Sequence, residues 1–143
     1  MSAQEVQQAS DRFYEALGKL LNGDPSEMEQ VWDHGTNVST LHPIGGMQSG
    51  WDEVWAGWQG ASRLMTNGRA EVDDLHVYVL GDVAYTIGNE HVAGMIGATS
   101  AAFDARTTNI YRREAGDWKM VHHHSDTDQE TETTVQALMA QHG

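Results

Sequence analysis

Asp117–Asp126 reads DWKMVHHHSD, an aromatic and apolar run that ends in three consecutive histidines. Upstream, EAGD (Glu114–Asp117) has the composition of a tight hairpin connection, and TSAAFDARTTNIYRR before it is another strand-like run. Counting outward from the connection pairs Glu114 with Asp117, Tyr111 with Met120, Asn109 with His122 and Thr107 with His124. Because strand side chains alternate, His122 and His124 are expected on one face with Asn109, Thr107, Trp118 and Met120. Lys119, Val121, His123 and Ser125 are expected on the other. The Trp118–Met120 pair marks the first face as the one that helices cover. Two inward imidazoles need partners or a wet cavity, since an unpaired buried polar group costs on the order of 1–3 kcal/mol.

Two more strand-like runs, AEVDDLHVYVL and VAYTIGNEHVAG, flank Gly81–Asp82, which reads as a two-residue hairpin turn. The second half of the chain is therefore an antiparallel sheet. Its strands are apolar on both faces: Leu75, Val77 and Val79 alternate with Tyr78 and Leu80. One face should carry helices and the other a second copy of the chain, giving a homodimer through the sheet.

The first half reads as helices. Val6, Ala9, Phe13, Leu17 and Leu20 fall at helical spacing behind SAQE, and Asn22–Gly23 stops the helix. Asp24 and Pro25 open a short second helix through Trp32. NVSTLHPIGG is an extended segment closed by a Pro43–Gly46 turn, and Trp51, Val54, Trp55 and Trp58 share a face of a third helix. Helices followed by antiparallel strands make an α+β domain. One domain over 1–143 is expected, with a core over 6–125 and 126–143 as a polar C-terminal tail.

Composition narrows the function. A formal charge of -13 and eight scattered Lys and Arg argue against nucleic acid and anionic membranes as partners. No run is apolar enough to cross a bilayer, and MSAQEVQQASDRFYEAL has neither the basic nor the apolar stretch of a secretion signal, so an unsecreted protein is expected. The absence of cysteine removes thiolate chemistry and fits a reducing, cytoplasmic setting. No serine carries nucleophile-elbow glycines, and GMIGA lacks the lysine and helix of a phosphate loop. His122, His124 and His42 could be imagined on one zinc or copper ion, but no carboxylate or cysteine completes a known spacing. Neither a metal nor a cofactor is expected. His42, ending a strand before a proline turn, is placed where side chains line a cavity mouth.

Taken together, HPIGG, SGWDEVW, GDVAY and RREAGDWKMVHHHS resemble the nuclear transport factor 2-like superfamily over roughly Val6–Ser125. Within it, the chain is similar to SnoaL-like and ketosteroid isomerase-like proteins and to the association domain of calcium/calmodulin-dependent protein kinase II. The resemblance implies a cone-shaped α+β barrel, with N-terminal helices packed on a curved antiparallel sheet, a deep pocket at the wide end, and dimers through the sheet.

It also implies roles. His42 stands where isomerases carry a proton-shuttling aspartate, and an imidazole can do that work near neutral pH. Their oxyanion-hole pair falls near Ala105 and Ala16, with Tyr14 close by, so steroid isomerisation is not expected. The acidic base of the cyclases would be Asp104 or Asp126. Both inward histidines of the association domain match here, and its pocket arginine is Asn109. The expected function is a small-molecule pocket acting as an isomerase, cyclase or hydratase by proton transfer on an organic ligand. His42, His122 and His124 would be catalytic, and Tyr14, Trp55, Trp58, Asn109, Thr107 and Asp126 would contact the ligand. The alternative is a non-catalytic association or ligand-sensing module.

Overall fold

The elements run α1 (Ser2–Leu20), α2 (Ser26–Val31), β1 (Ser39–Leu41), β2 (Met47–Ser49), α3 (Trp51–Ala61), β3 (Thr66–Leu80), β4 (Val83–Ile96), β5 (Thr99–Glu114), β6 (Asp117–Asp126) and α4 (Gln129–His142). The computed structural model describes residues 2–43, 46–127 and 129–142; Ile44 and Gly45 of the turn expected after Pro43 lie outside them.

Val6, Ala9, Phe13, Leu17 and Leu20 are buried along one stripe of α1, as their spacing dictates. Gly23 ends the helix with positive φ, and Asp24 accepts hydrogen bonds from the Ser26 N–H and hydroxyl at the head of α2. Asn22 ties α1 to the sheet by donating to the carbonyls of Gly18 and Gly68. At Gly68 the approach is close, since a Cβ there would meet Leu21 Cβ at 2.4 Å.

Six strands form one curved, unclosed sheet in the order β2-β1-β6-β5-β4-β3. Gly81–Asp82 and Ala115–Gly116 make the tight turns read from the sequence. β1 lies parallel to β6, with Ser39, Thr40 and Leu41 beside His122, His123 and His124. Trp58, Val54, Phe13 and Met120 join α1, α3 and the inner sheet face in one core. The fold is thus the α+β arrangement expected.

The ladder between β5 and β6 corrects the expected register. Glu114 pairs with Asp117 and Tyr111 with Met120, as counted, but the next pair is Ile110 with His122. Val121 is an extra residue on β6, a bulge that opposes no residue of its own. Beyond it every side chain has changed face. Asn109 therefore sits opposite His123 and Thr107 opposite Ser125. His123 and Ser125 are buried at 3% exposure each, while His122 and His124 are only partly covered on the outer face.

The segment expected as a tail folds as α4. Val135 is buried in the core, with Leu138 and Met139 packed at its margin, and the helix lies against β4 and β5.

Candidate functional site

The inward residues along the middle of β4 are mostly small or apolar, with one carboxylate among them. Ala84, Thr86, Gly88, Glu90 and Val92 alternate onto the inner face, and Glu90 faces Ala105 across the ladder. Glu90 is 3% exposed and is the only acidic side chain among the described buried residues. Ser125 donates to its Oε1 at 3.2 Å and Tyr14, from α1, to its Oε2 at 2.7 Å. The Thr107 hydroxyl also faces the carboxyl and favours its charged form, though outside hydrogen-bond geometry.

The network continues from Tyr14. Asn109 Nδ2 donates to the Tyr14 oxygen at 3.4 Å, and Asn109 Oδ1 lies 2.6 Å from His123 Nδ1. In that orientation Nδ1 carries the proton, so donors run in one direction from His123 through Asn109 and Tyr14 to Glu90. Burial pushes the Glu90 carboxyl and the Tyr14 hydroxyl up, and the carboxyl's proximity adds to the rise at Tyr14. Burial, with the neighbouring imidazoles adding to it, holds His123 well below the usual histidine range.

His42 closes the cluster at its edge. β1 alternates Thr40 inward and Leu41 outward, which turns His42 back to the inside. Its ring meets Trp58 edge-on at 4.7 Å and His123 at 5.7 Å, and His123 also packs on Phe13 and Trp58. Neither His42 Nε2 nor Trp58 Nε1 has a hydrogen-bond partner among the described residues. Burial lowers the His42 pKa to about 4, so the ring is neutral near pH 7.

Thus Tyr14, Asn109, Thr107, Trp58 and His42 come together inside, and His122, His124, Asp126 and Trp55 lie elsewhere. His122 Nδ1 bonds the Ser39 hydroxyl at 2.7 Å, and the Arg106 guanidinium pairs with Asp126 on the outer face. His124 and Asp126 line an outer groove of about 440 Å³ with His76, Asn89 and Thr108. Trp55 stacks on Trp51, which stacks on His34, outside the interior. Sequence reading missed Glu90, His123 and Ser125. A strand whose inward positions are small except for one carboxylate was the available signal for Glu90.

A search over known domain families places residues 6–126 within one of them, the SnoaL-like domain. The chain belongs to that family. Solved structures agree on the fold of this SnoaL-like domain. A protein from Streptomyces avermitilis, provisionally assigned as a dehydratase of the NTF2-like family, is 26% identical with a TM-score of 0.79, covering 89% of this chain and 96% of its own. A protein from Thiobacillus denitrificans, provisionally assigned as a calcium/calmodulin-dependent protein kinase type II association domain, is 31% identical with a TM-score of 0.70, covering 86% and 94%. The CaMKII hub of S. rosetta has the same fold at 20% identity, TM-score 0.71, covering 88% and 96%. Among curated proteins none matches.

The SnoaL-like domain contains no helix long and apolar enough to cross a membrane among its described residues. Nor do three or more His, Asp or Glu gather there in a metal-holding arrangement.

Proposed function

We propose that this SnoaL-like domain binds a small organic molecule at the inner end of α3 and β1 and transfers a proton to or from it through His42. The supporting observation is the Nε2 of His42, unpartnered among the described residues, held neutral and placed against Trp58 and His123. A buried nitrogen without a partner is costly unless something binds it. A pKa of about 4 makes His42 a weak base as the interior stands, and negative charge developing on a bound oxygen would raise it. The Trp58 indole N–H, also unpartnered among the described residues, supplies a hydrogen-bond donor beside that nitrogen before a ligand arrives. Isomerisation, hydration and dehydration all need this pairing of a proton acceptor with a donor at an oxygen. The similarity to the provisionally assigned dehydratase points the same way. In this reading His122 and His124 take no part in the chemistry.

Exchange of the α-protons of cyclohexanone in D2O, followed by NMR, tests the proposal. The protein should accelerate exchange, and His42→Ala should remove the acceleration in a protein that is still folded at the assay temperature. Acceleration that survives His42→Ala takes His42 out of the role.

The outer face supports a second proposal, that two copies associate through it as a cytoplasmic homodimer. Tyr78, Leu80, Val83 and Ile87 are exposed there together, and Tyr78 stacks on Tyr85. The hub and association-domain neighbours favour assembly by this fold. Should no turnover be found, association with a sensing pocket becomes the better account.

A further inference from the structure

Two buried polar atoms with no partner among the described residues sit on touching rings. Trp58 is 2% exposed, its Nε1 is unpartnered, and the edge-on ring beside it is His42, whose Nε2 is unpartnered too. An indole nitrogen can only donate, and a neutral imidazole nitrogen donates or accepts according to its tautomer. The pair therefore has a defined complement, a hydrogen-bond acceptor offered to Trp58 with a hydroxyl or second acceptor beside it for His42.

Charge narrows the complement further. All eight Lys and Arg are exposed or half-buried, so the interior contains no fixed cation. His42 and His123 are both neutral there, and Asn109, the one described side chain with an amide at the centre, has both ends engaged. The one carboxyl among the described interior residues, Glu90, has Tyr14 and Ser125 on its two oxygens and no lysine or arginine opposite it. A carboxylate ligand would lose its water without gaining a counter-charge, and an ammonium would find only a carboxyl already in use. Phe13, Trp58 and the two imidazoles pack ring against ring here, so the surroundings of the pair are aromatic.

We infer that this site, if it is the binding pocket proposed above, selects uncharged molecules that carry a carbonyl-type acceptor on a flat apolar body, and rejects carboxylates and ammonium ions. The acceptor is read by the Trp58 indole N–H.

Four one-ring probes of similar size separate the terms: acetophenone (neutral, acceptor), ethylbenzene (neutral, no acceptor), benzoate and benzylammonium, each titrated calorimetrically against the full chain at neutral pH. Acetophenone should bind at least roughly a hundredfold more tightly than either ion, the scale set by an uncompensated buried charge. It should bind roughly tenfold more tightly than ethylbenzene, and Trp58→Phe should erase that second ratio while the ionic probes stay weak. Benzoate within about threefold of acetophenone overturns the charge rule, and an acetophenone-to-ethylbenzene ratio unchanged in Trp58→Phe overturns the acceptor assignment. Failure of all four probes overturns the pocket reading, and this inference with it.

Discussion

Tyr14 Oη donates a 2.7 Å hydrogen bond to Glu90 Oε2, linking the N-terminal helix to the middle of β4 across 76 residues of chain. Both groups are buried, so the bond cannot be replaced by bulk water. Tyr14→Phe should cost about 1–3 kcal/mol of unfolding free energy, the usual range when a buried acceptor loses a donor. Urea titration of the two proteins measures it, and equal midpoints would mean that Glu90 finds another partner.

Glu90 has its own pH signature. Burial raises its pKa in the fold, so its contribution to stability is complete below the unfolded carboxyl value and is lost as pH rises through the folded value. The amide introduced by Glu90→Gln does not titrate. The stability of wild type relative to that variant should therefore be greatest in acid and fall as pH rises, which denaturation curves at a series of pH values would reveal. A gap constant between about pH 4 and 8 would show that the carboxyl does not change its proton uptake on folding.

The interior histidines act with the opposite sign. The His42 pKa is lowered to about 4 by burial, so its contribution is present above the unfolded histidine value and is lost as pH falls from about 6.5 toward 4. At most about 3 kcal/mol is at stake for this group. His42→Leu should flatten the acid limb of the stability profile, leaving His123 to account for what slope persists. An unaltered acid limb in His42→Leu would count against a buried neutral ring.

The three consecutive histidines should behave as unlike residues. His123→Gln disturbs the 2.6 Å contact with Asn109 and the packing on Phe13, and should cost about 1–3 kcal/mol. His122→Gln and His124→Gln, on the partly covered face, should stay within about 1 kcal/mol of wild type. Thermal or chemical melts of the three variants decide it. The reverse ranking would restore the unbulged register.

Association through the outer face predicts a mass change. Leu80→Glu with Ile87→Glu places two charges among exposed apolar side chains and should convert a dimer to a monomer in light scattering, with little effect on the inner core. A wild-type chain that is monomeric at micromolar concentration removes the proposal.

Much of the fold was legible because local signals agreed. The α1 stripe, the Gly81–Asp82 turn and the EAGD turn each rest on short-range chemistry, and all three stand as read. The register was right as far as Tyr111–Met120 and failed one residue later, because a bulge at a plain Val carries no glycine or proline to mark it. Every inward assignment beyond Met120 on β6 inherited that shift. Glu90 went unread because a lone carboxylate in a strand is ordinarily solvent-facing, and the partners that satisfy it inside, Tyr14 and Ser125, are far away in sequence. Trp51, Trp55 and Trp58 do lie along one side of α3, yet the stripe is wider than the surface it packs on. Trp58 takes the interior, and the other two stack outside with His34. In α4 one buried Val among polar neighbours is too thin a pattern to separate a helix from a tail.

The Val121 bulge also gives the repeated histidine a meaning of its own. If β6 slid by one residue and lost the bulge, His122 would arrive opposite Asn109 where His123 now stands, and the imidazole–amide contact would survive in kind. The next inward position would not be spared, because His124 would replace Ser125 beside Glu90 and bring a ring where a hydroxyl now fits. The triplet is therefore redundant at Asn109 and unforgiving at Glu90. It is the carboxyl, and not the run of histidines, that discriminates between the two ways of laying this strand into the sheet.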